Sequence, residues 1–194
     1  GVALYAKDSV VTLAGTTINL FGDNSLGLYL DGTTSFTGSG NININGQNVV
    51  LFNMNSSGAI SNSFNVVSVA PGSTYTLGNI TGGVFEYTGS SNLASNGTLV
   101  SGTGSAIYLN GSAITASPGS TNVAGVVLDG PYTGFSPLPA GMTSGTDGEN
   151  AGIITLGDSS VGIYGKNGSR ISNTNTITVD NASAGLMTSG AGAF

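Results

Sequence analysis

Carboxylates are the first side chains of this sequence to consider for acid or base catalysis, because the chain contains no histidine and no cysteine. Hydrolysis of a glycosidic bond needs two carboxyl groups within about 5 to 10 Å of each other. Among nine carboxylates, only Asp147 and Glu149 form a close pair in the sequence. Most of the others stand beside Gly or Asn, as turn residues do. We therefore predict a protein that is not an enzyme and has no catalytic residues.

A lyase would instead need a basic group and a cation to stabilise the developing negative charge. The positive side chains are Lys7, Lys166 and Arg170 alone. Arg170 follows a Gly-Ser pair where a turn is expected, and we interpret it as a solvated turn residue. No recognisable calcium loop is present. The sequence predicts no metal site and no cofactor, and Asp147-Gly148-Glu149 is the one alternative that it leaves for an ion.

Two aromatic residues, Tyr132 and Phe135, stand near the carboxylate pair in a proline-rich stretch. Exposed aromatic rings beside polar groups can bind sugars or a partner protein. The alternative is that these rings fix the stretch to the rest of the fold. The candidate ligand-binding residues are thus Tyr132, Phe135, Asp147 and Glu149.

The remainder of the chain repeats a phrase of about 23 residues. Residues 175–187 align with 152–164, residues 17–29 give a third copy and residues 43–52 a looser one. Each copy has two short segments with apolar residues at alternate positions, separated by Gly, Asp, Asn or Ser, as expected for strands joined by turns. This period is typical of a β-solenoid coil. The sequence therefore predicts an all-β, single-stranded parallel β-helix that forms one domain over residues 1–194.

One apolar position serves as an anchor for counting eight to nine coils. The proposed anchors are Leu4, Leu28, Leu51, Val67, Phe85, Ile107, Val127, Ile163 and Leu186. Nearby aromatics are expected to stack along the solenoid: Tyr29, Phe52, Tyr108 and Tyr164. The long gap after Val127 contains three of the five prolines, which oppose strand pairing. Residues 131–150 are therefore expected to protrude as a loop.

Composition excludes several classes of partner. The net charge is −6 and no basic patch exists, so nucleic acid is not an expected partner. No run of 18 apolar residues occurs, so no membrane insertion is expected within these residues.

The coil phrases resemble the passenger repeats of bacterial type V autotransporters, in particular very long adhesins. The resemblance rests on Gly-Ile-Tyr-Gly-Lys-Asn-Gly-Ser at 162–169 and Ser-Ala-Gly-Leu-Met at 183–187. It covers most of the chain but not residues 131–150, and phage tail spikes share the composition. It implies a right-handed coil, an extracellular location on the bacterial surface, and a signal peptide and outer-membrane barrel outside these residues.

The resemblance implies an adhesin segment, in which a rigid stalk displays a surface for a protein or glycan receptor on host cells or other bacteria. One alternative is a purely structural spacer. A second is a polysaccharide-degrading enzyme similar to a tail spike.

Overall fold

The computed structural model describes residues 1–194 and consists of nineteen β-strands with no α-helix. All the strand pairs are parallel. Successive coils stack into a solenoid of about eight turns, which confirms the predicted all-β parallel β-helix. It follows that no helix in this structure is long and apolar enough to cross a membrane.

Three sheets form the walls of the solenoid. Sheet A contains β1 (Val2–Lys7), β3 (Leu26–Gly32), β5 (Val49–Ser56), β7 (Tyr75–Thr81), β10 (Thr98–Thr103), β13 (Ala124–Asp129), β16 (Val161–Lys166) and β19 (Ala184–Ser189). Sheet B contains β2 (Val10–Leu20), β4 (Ser35–Ile44), β6 (Ala59–Val69), β8 (Val84–Tyr87), β11 (Ala106–Leu109), β14 (Gly148–Asn150) and β17 (Ile171–Asn173). Sheet C contains β9 (Ser90–Leu93), β12 (Ala113–Ala116), β15 (Ile153–Leu156) and β18 (Thr176–Val179).

The strand register confirms part of the predicted coil count and corrects the rest. The anchor column of sheet A is Leu4, Leu28, Phe52, Gly78, Val100, Val126, Ile163 and Leu186. The predicted anchors Leu51 and Val127 are each one residue off, and Val67, Phe85 and Ile107 lie in sheet B. Strands in both sheets carry the same apolar alternation, so the phrase alone did not distinguish one wall of a coil from the next.

A continuous apolar core fills the solenoid, and four phenylalanines are among its largest side chains. Phe52 packs against Phe36, Phe64 and Phe85, with ring centroids 5.1, 6.3 and 5.9 Å away. These rings come from different walls and meet in the interior.

The predicted stack of Tyr29, Phe52, Tyr108 and Tyr164 along the solenoid is therefore wrong. Phe52 points inward and Tyr108 belongs to β11 of sheet B. Tyr29 does stack on a ring, but on that of Tyr5, at 5.6 Å. Side chains alternate between the two faces of a strand, so a shift of one residue in the register reverses their direction.

The cross-section changes along the solenoid at β6. The first three coils place one long strand in sheet B, namely β2, β4 and β6, whereas later coils break that wall into two shorter strands, starting with β8 and β9. Gly89 stands at the first break, where a Cβ atom would lie 1.9 Å from the carbonyl oxygen of Phe64. Only glycine leaves room for this approach of two coils.

Tyrosine hydroxyl groups donate hydrogen bonds to main-chain carbonyls at this break. The hydroxyl of Tyr87 donates to the carbonyl of Phe64 at 3.0 Å and lies 2.7 Å from the hydroxyl of Ser91. Tyr75 donates to the carbonyl of Asn92 at 3.1 Å. Burial raises the pKa of both tyrosines far above the ordinary value.

Because these two tyrosines are buried, we expect the protein to lose stability at alkaline pH. Unfolded tyrosine ionises near pH 10, whereas the folded protein keeps Tyr75 and Tyr87 protonated, so the free energy of unfolding should fall as pH rises above about 10. Chemical unfolding from pH 8 to 12 measures this decline, and Tyr87→Phe should reduce its slope. The prediction is contradicted if the absorbance shows that every tyrosine has ionised while the β-sheet circular dichroism signal is still intact.

Candidate functional site

The longest departure from the coil is a segment between β13 and β14, residues 130–147, which we call the insert. We expected residues 131–150 to protrude. The structure shortens that range, because Gly148–Asn150 pairs with β11 on one side and β17 on the other. The insert also does not project outward. It lies along the outer face of sheet B.

Apolar contacts hold the insert against sheet B. Met142 packs on Val84, Ala106 and Tyr108, which point away from the solenoid interior and are nevertheless buried. The hydroxyl of Ser136 donates to the carbonyl of Ser57, in the turn before β6. From β14 the insert therefore runs back across β11 and β8 to the start of β6, which is three strand spacings or roughly 14 Å.

Asp147 closes the insert onto the next coil. Its carboxylate is fully buried and accepts hydrogen bonds from the main-chain amides of Tyr132 (2.9 Å) and Arg170 (2.7 Å). The guanidinium of Arg170 donates to the same carboxylate through Nε at 3.1 Å and Nη2 at 2.9 Å. These bonds raise the pKa of Arg170. One carboxylate thus joins the start of the insert, its end and the following turn.

Glu149 fixes the other half of the insert. Its side chain projects from the outer face of β14 and is 2% exposed. It accepts from the Thr143 amide at 2.7 Å, from the Thr146 hydroxyl at 3.4 Å and from the Thr174 hydroxyl at 3.3 Å. Tyr108 lies opposite Glu149 on the neighbouring strand. Burial raises the pKa of Tyr108, and the negative charges of Glu149 and Glu86 raise it further.

The carboxylate pair therefore does not face solvent. Asp147 and Glu149 are both covered and hydrogen-bonded to the insert or the adjacent turn, so in this structure they organise the insert rather than offering oxygen atoms to a ligand. No group of three or more Asp, Glu, His or Cys side chains lies close enough to hold a metal ion.

The two aromatic candidates differ in their surroundings. Tyr132 is half-buried against the apolar contact around Met142, and its hydroxyl donates to the Ser136 carbonyl at 2.8 Å. Burial raises the pKa of Tyr132. Phe135 is 98% exposed. Tyr132 thus pins the insert, and Phe135 alone of the four candidates presents its whole side chain to solvent.

Sequence reasoning missed the role of Arg170, which pairs with Asp147 instead of standing free in solvent. One signal for this pair was present. Arg170 follows Asp147 by 23 residues, one coil repeat, so the two side chains fall on neighbouring turns.

The sequence also carried a signal that the outer face of sheet B is covered. Ala106–Leu109 lacks the polar alternation of a half-exposed strand, which indicates that both of its faces are covered.

Comparison with known proteins does not assign the chain to a family. No protein-family model matches it, and neither a curated protein nor a solved structure shows significant similarity to it.

Proposed function

We propose that this chain is a segment of a bacterial autotransporter passenger that acts as an adhesin, with the insert as its contact surface. The observation that carries the proposal is Phe135, a fully exposed aromatic ring on a segment whose base is held by Asp147 and Glu149. In this proposal the protein performs no chemical step and works by display.

Preorganisation supports a binding role for Phe135. Binding usually costs free energy because loops and side chains must be ordered. The insert is ordered before binding by the apolar contact at Met142 and by hydrogen bonds at both ends. Aromatic side chains, phenylalanine among them, are also enriched in protein interfaces relative to the rest of the surface.

The partner in this proposal is a protein or glycan receptor on a host cell or another bacterium. Asp147 is the one charged residue of the insert and is buried, and the exposed apolar residues of the insert besides Phe135 are Pro131, Pro137 and Ala140. The location is the bacterial cell surface, and an outer-membrane barrel outside these residues would hold the passenger there. The support for that location is the likeness of the coil phrases to passenger repeats.

Phe135→Ala tests the contact directly. Loss of a hot-spot aromatic costs about 2 to 4 kcal/mol, so we expect binding of the labelled chain to cultured epithelial cells to weaken by roughly 30-fold or more. Flow cytometry of titrated cells gives the affinity, and a glycan array distinguishes sugar from protein receptors. The Phe135 ring makes no core contact, so the circular dichroism spectrum should stay unchanged.

Phe21→Ala is the matched control, because Phe21 is also exposed, at 62%, but lies beside β2, away from the insert. It should bind as the unmodified chain does. Equal losses of binding affinity from the two substitutions would show that the insert is not the contact surface. Absence of binding by the unmodified chain to epithelial cells, bacterial cells and glycans alike would favour a spacer and overturn the adhesin proposal.

A further inference from the structure

Four asparagines of the chain are followed directly by glycine. The main-chain nitrogen of the next residue can attack an asparagine side chain, and glycine hinders this attack least because it has no Cβ atom and a flexible main chain. The four pairs are Asn45-Gly46, Asn96-Gly97, Asn110-Gly111 and Asn167-Gly168. Their surroundings decide which of them is free to react in the folded protein.

Carboxylates on neighbouring coils hold two of these side chains. Nδ2 of Asn110 donates to Oε1 of Glu86 at 2.8 Å. Nδ2 of Asn167 donates to Oδ1 of Asp129 at 2.7 Å. For the ring to close, Cγ of the asparagine must turn towards the next main-chain nitrogen, and this rotation breaks a hydrogen bond to a charged acceptor. Both asparagines are therefore held away from the reaction.

Asn96 is held through both of its reacting groups. Its Oδ1 accepts from Nδ2 of Asn122 in the next coil at 2.8 Å. The amide of Gly97, which would be the nucleophile, donates to the carbonyl of Ala94 at 3.1 Å. Two neutral hydrogen bonds must break before this pair can react.

Asn45 is the member of the set without such restraint. It lies in the turn between β4 and β5, and its side chain is exposed and forms no hydrogen bond. The amide of Gly46 also donates to no acceptor. The attacked carbon and the attacking nitrogen are thus both free at this turn.

We propose that Asn45 is a site of spontaneous covalent modification, which deamidates to a mixture of aspartate and isoaspartate. The nitrogen of Gly46 loses its proton and forms a bond to Cγ of Asn45. The bond from Cγ to Nδ2 breaks, and Nδ2 leaves with that proton as ammonia. Water then opens the five-membered ring at one of its two carbonyls. If the bond from Cγ to the Gly46 nitrogen breaks, aspartate results, and if the bond from the main-chain carbonyl carbon breaks, isoaspartate results. This proposal does not depend on the adhesin function.

Isoaspartate would change a turn that the neighbouring coils fix in place. The amide of Asn45 donates to the carbonyl of Leu20 at 2.9 Å, and the carbonyl of Gly46 accepts from the amide of Thr74 at 3.3 Å. A Cβ atom on Gly46 would lie 2.4 Å from the carbonyl oxygen of Gly22. Isoaspartate adds one carbon atom to the main chain between these contacts, so they cannot all be kept. We expect the modified protein to exchange amide hydrogens faster at the end of β4 and the start of β5.

Peptide mapping by mass spectrometry tests the site on the full chain after storage in mildly alkaline buffer. Each conversion adds one mass unit, and an isoaspartate-specific methyltransferase labels the isoaspartate product. Asn45 should convert at least about tenfold faster than each of the other three, because their hydrogen bonds must break first. In the chain unfolded with urea the four rates should become similar, since glycine follows each asparagine.

Glu86→Ala is the matched variant, because it removes the acceptor that holds Asn110 and lies on a partly exposed side chain. The rate at Asn110 should rise by about tenfold, while the rate at Asn45 stays unchanged. Asn45→Gln should abolish the mass gain of its peptide, since glutamine would have to close a six-membered ring, which forms far more slowly. The proposal is overturned if Asn45 in the folded chain converts no faster than the other three, or if the same ranking persists after unfolding.

Discussion

Replacing Arg170 with alanine is expected to lower the free energy of unfolding by about 3 kcal/mol, because it leaves a buried charge without its countercharge. The Asp147 carboxylate is fully buried and would lose two charge-assisted hydrogen bonds, at 3.1 and 2.9 Å. The amides of Tyr132 and Arg170 would still donate to it. For that reason we place the loss at the low end of the range for broken buried ion pairs. Chemical unfolding followed by circular dichroism measures it.

Lys166→Ala is the matched control, since Lys166 forms the other ion pair of the chain, with Asp129 at 3.2 Å. The side chains of Lys166 and Arg170 are similarly exposed, at 33% and 35%, but the partner of Lys166 is itself 41% exposed. Water solvates both charges of that pair, and exposed pairs contribute little. We expect no measurable loss. Equal losses from the two variants would show that burial of Asp147 does not govern the strength of its pair.

The insert should respond to Arg170→Ala before the solenoid does. Asp147 joins the base of the insert to the following coil, whereas the core of that coil is apolar and independent of the ion pair. Loss of the clamp should therefore increase amide hydrogen exchange across residues 130–147 more than in β16. The variant should therefore also bind its receptor more weakly through Phe135, because a loosened insert loses more conformational entropy on binding.

The repeat made the fold predictable. Stacked coils place equivalent residues one above another, so alternation within each phrase and a period near 23 residues together specify parallel strands around one core. The alignment of 152–164 with 175–187 is reproduced in the structure as the pairing of Ile153 with Thr176 and Ile163 with Leu186. The same repetition blurred the register in the middle of the chain. There Phe85 and Ile107 imitate the anchor phrase but belong to sheet B.

The candidate site was less predictable because its contacts connect different coils. Prolines correctly indicated a departure from the ladder, and the exposure of Phe135 agrees with a surface role. Nothing local to Asp147 and Glu149 indicated their burial, since the atoms that cover them come from the insert and from Arg170 and Thr174 one coil later. Adhesin function and passenger origin remain predictions, supported by phrase likeness and by the displayed ring.

Phe52→Ala is expected to cost about 3 to 5 kcal/mol, the largest effect of any substitution we consider, because it removes a fully buried ring from the centre of the core. Phe36, Phe64 and Phe85 surround this ring and come from other strands, so no single neighbour can move to fill the cavity without disturbing its own coil. Tyr29→Ala is the control in the preceding coil. Its ring stacks on Tyr5 at the surface, and its loss should cost about 1 kcal/mol.

The location of the damage tests the solenoid architecture itself. Each coil contacts mainly its neighbours, so a cavity at Phe52 should weaken β5 and the coils on either side while leaving distant coils protected. Hydrogen exchange should therefore rise in β3, β5 and β7 and stay unchanged in β16. A uniform rise along the whole chain would mean that the coils unfold as one cooperative unit and that a local defect is shared by all of them. In that case the substitution would lower the free energy of global unfolding and would leave no local pattern in the hydrogen exchange.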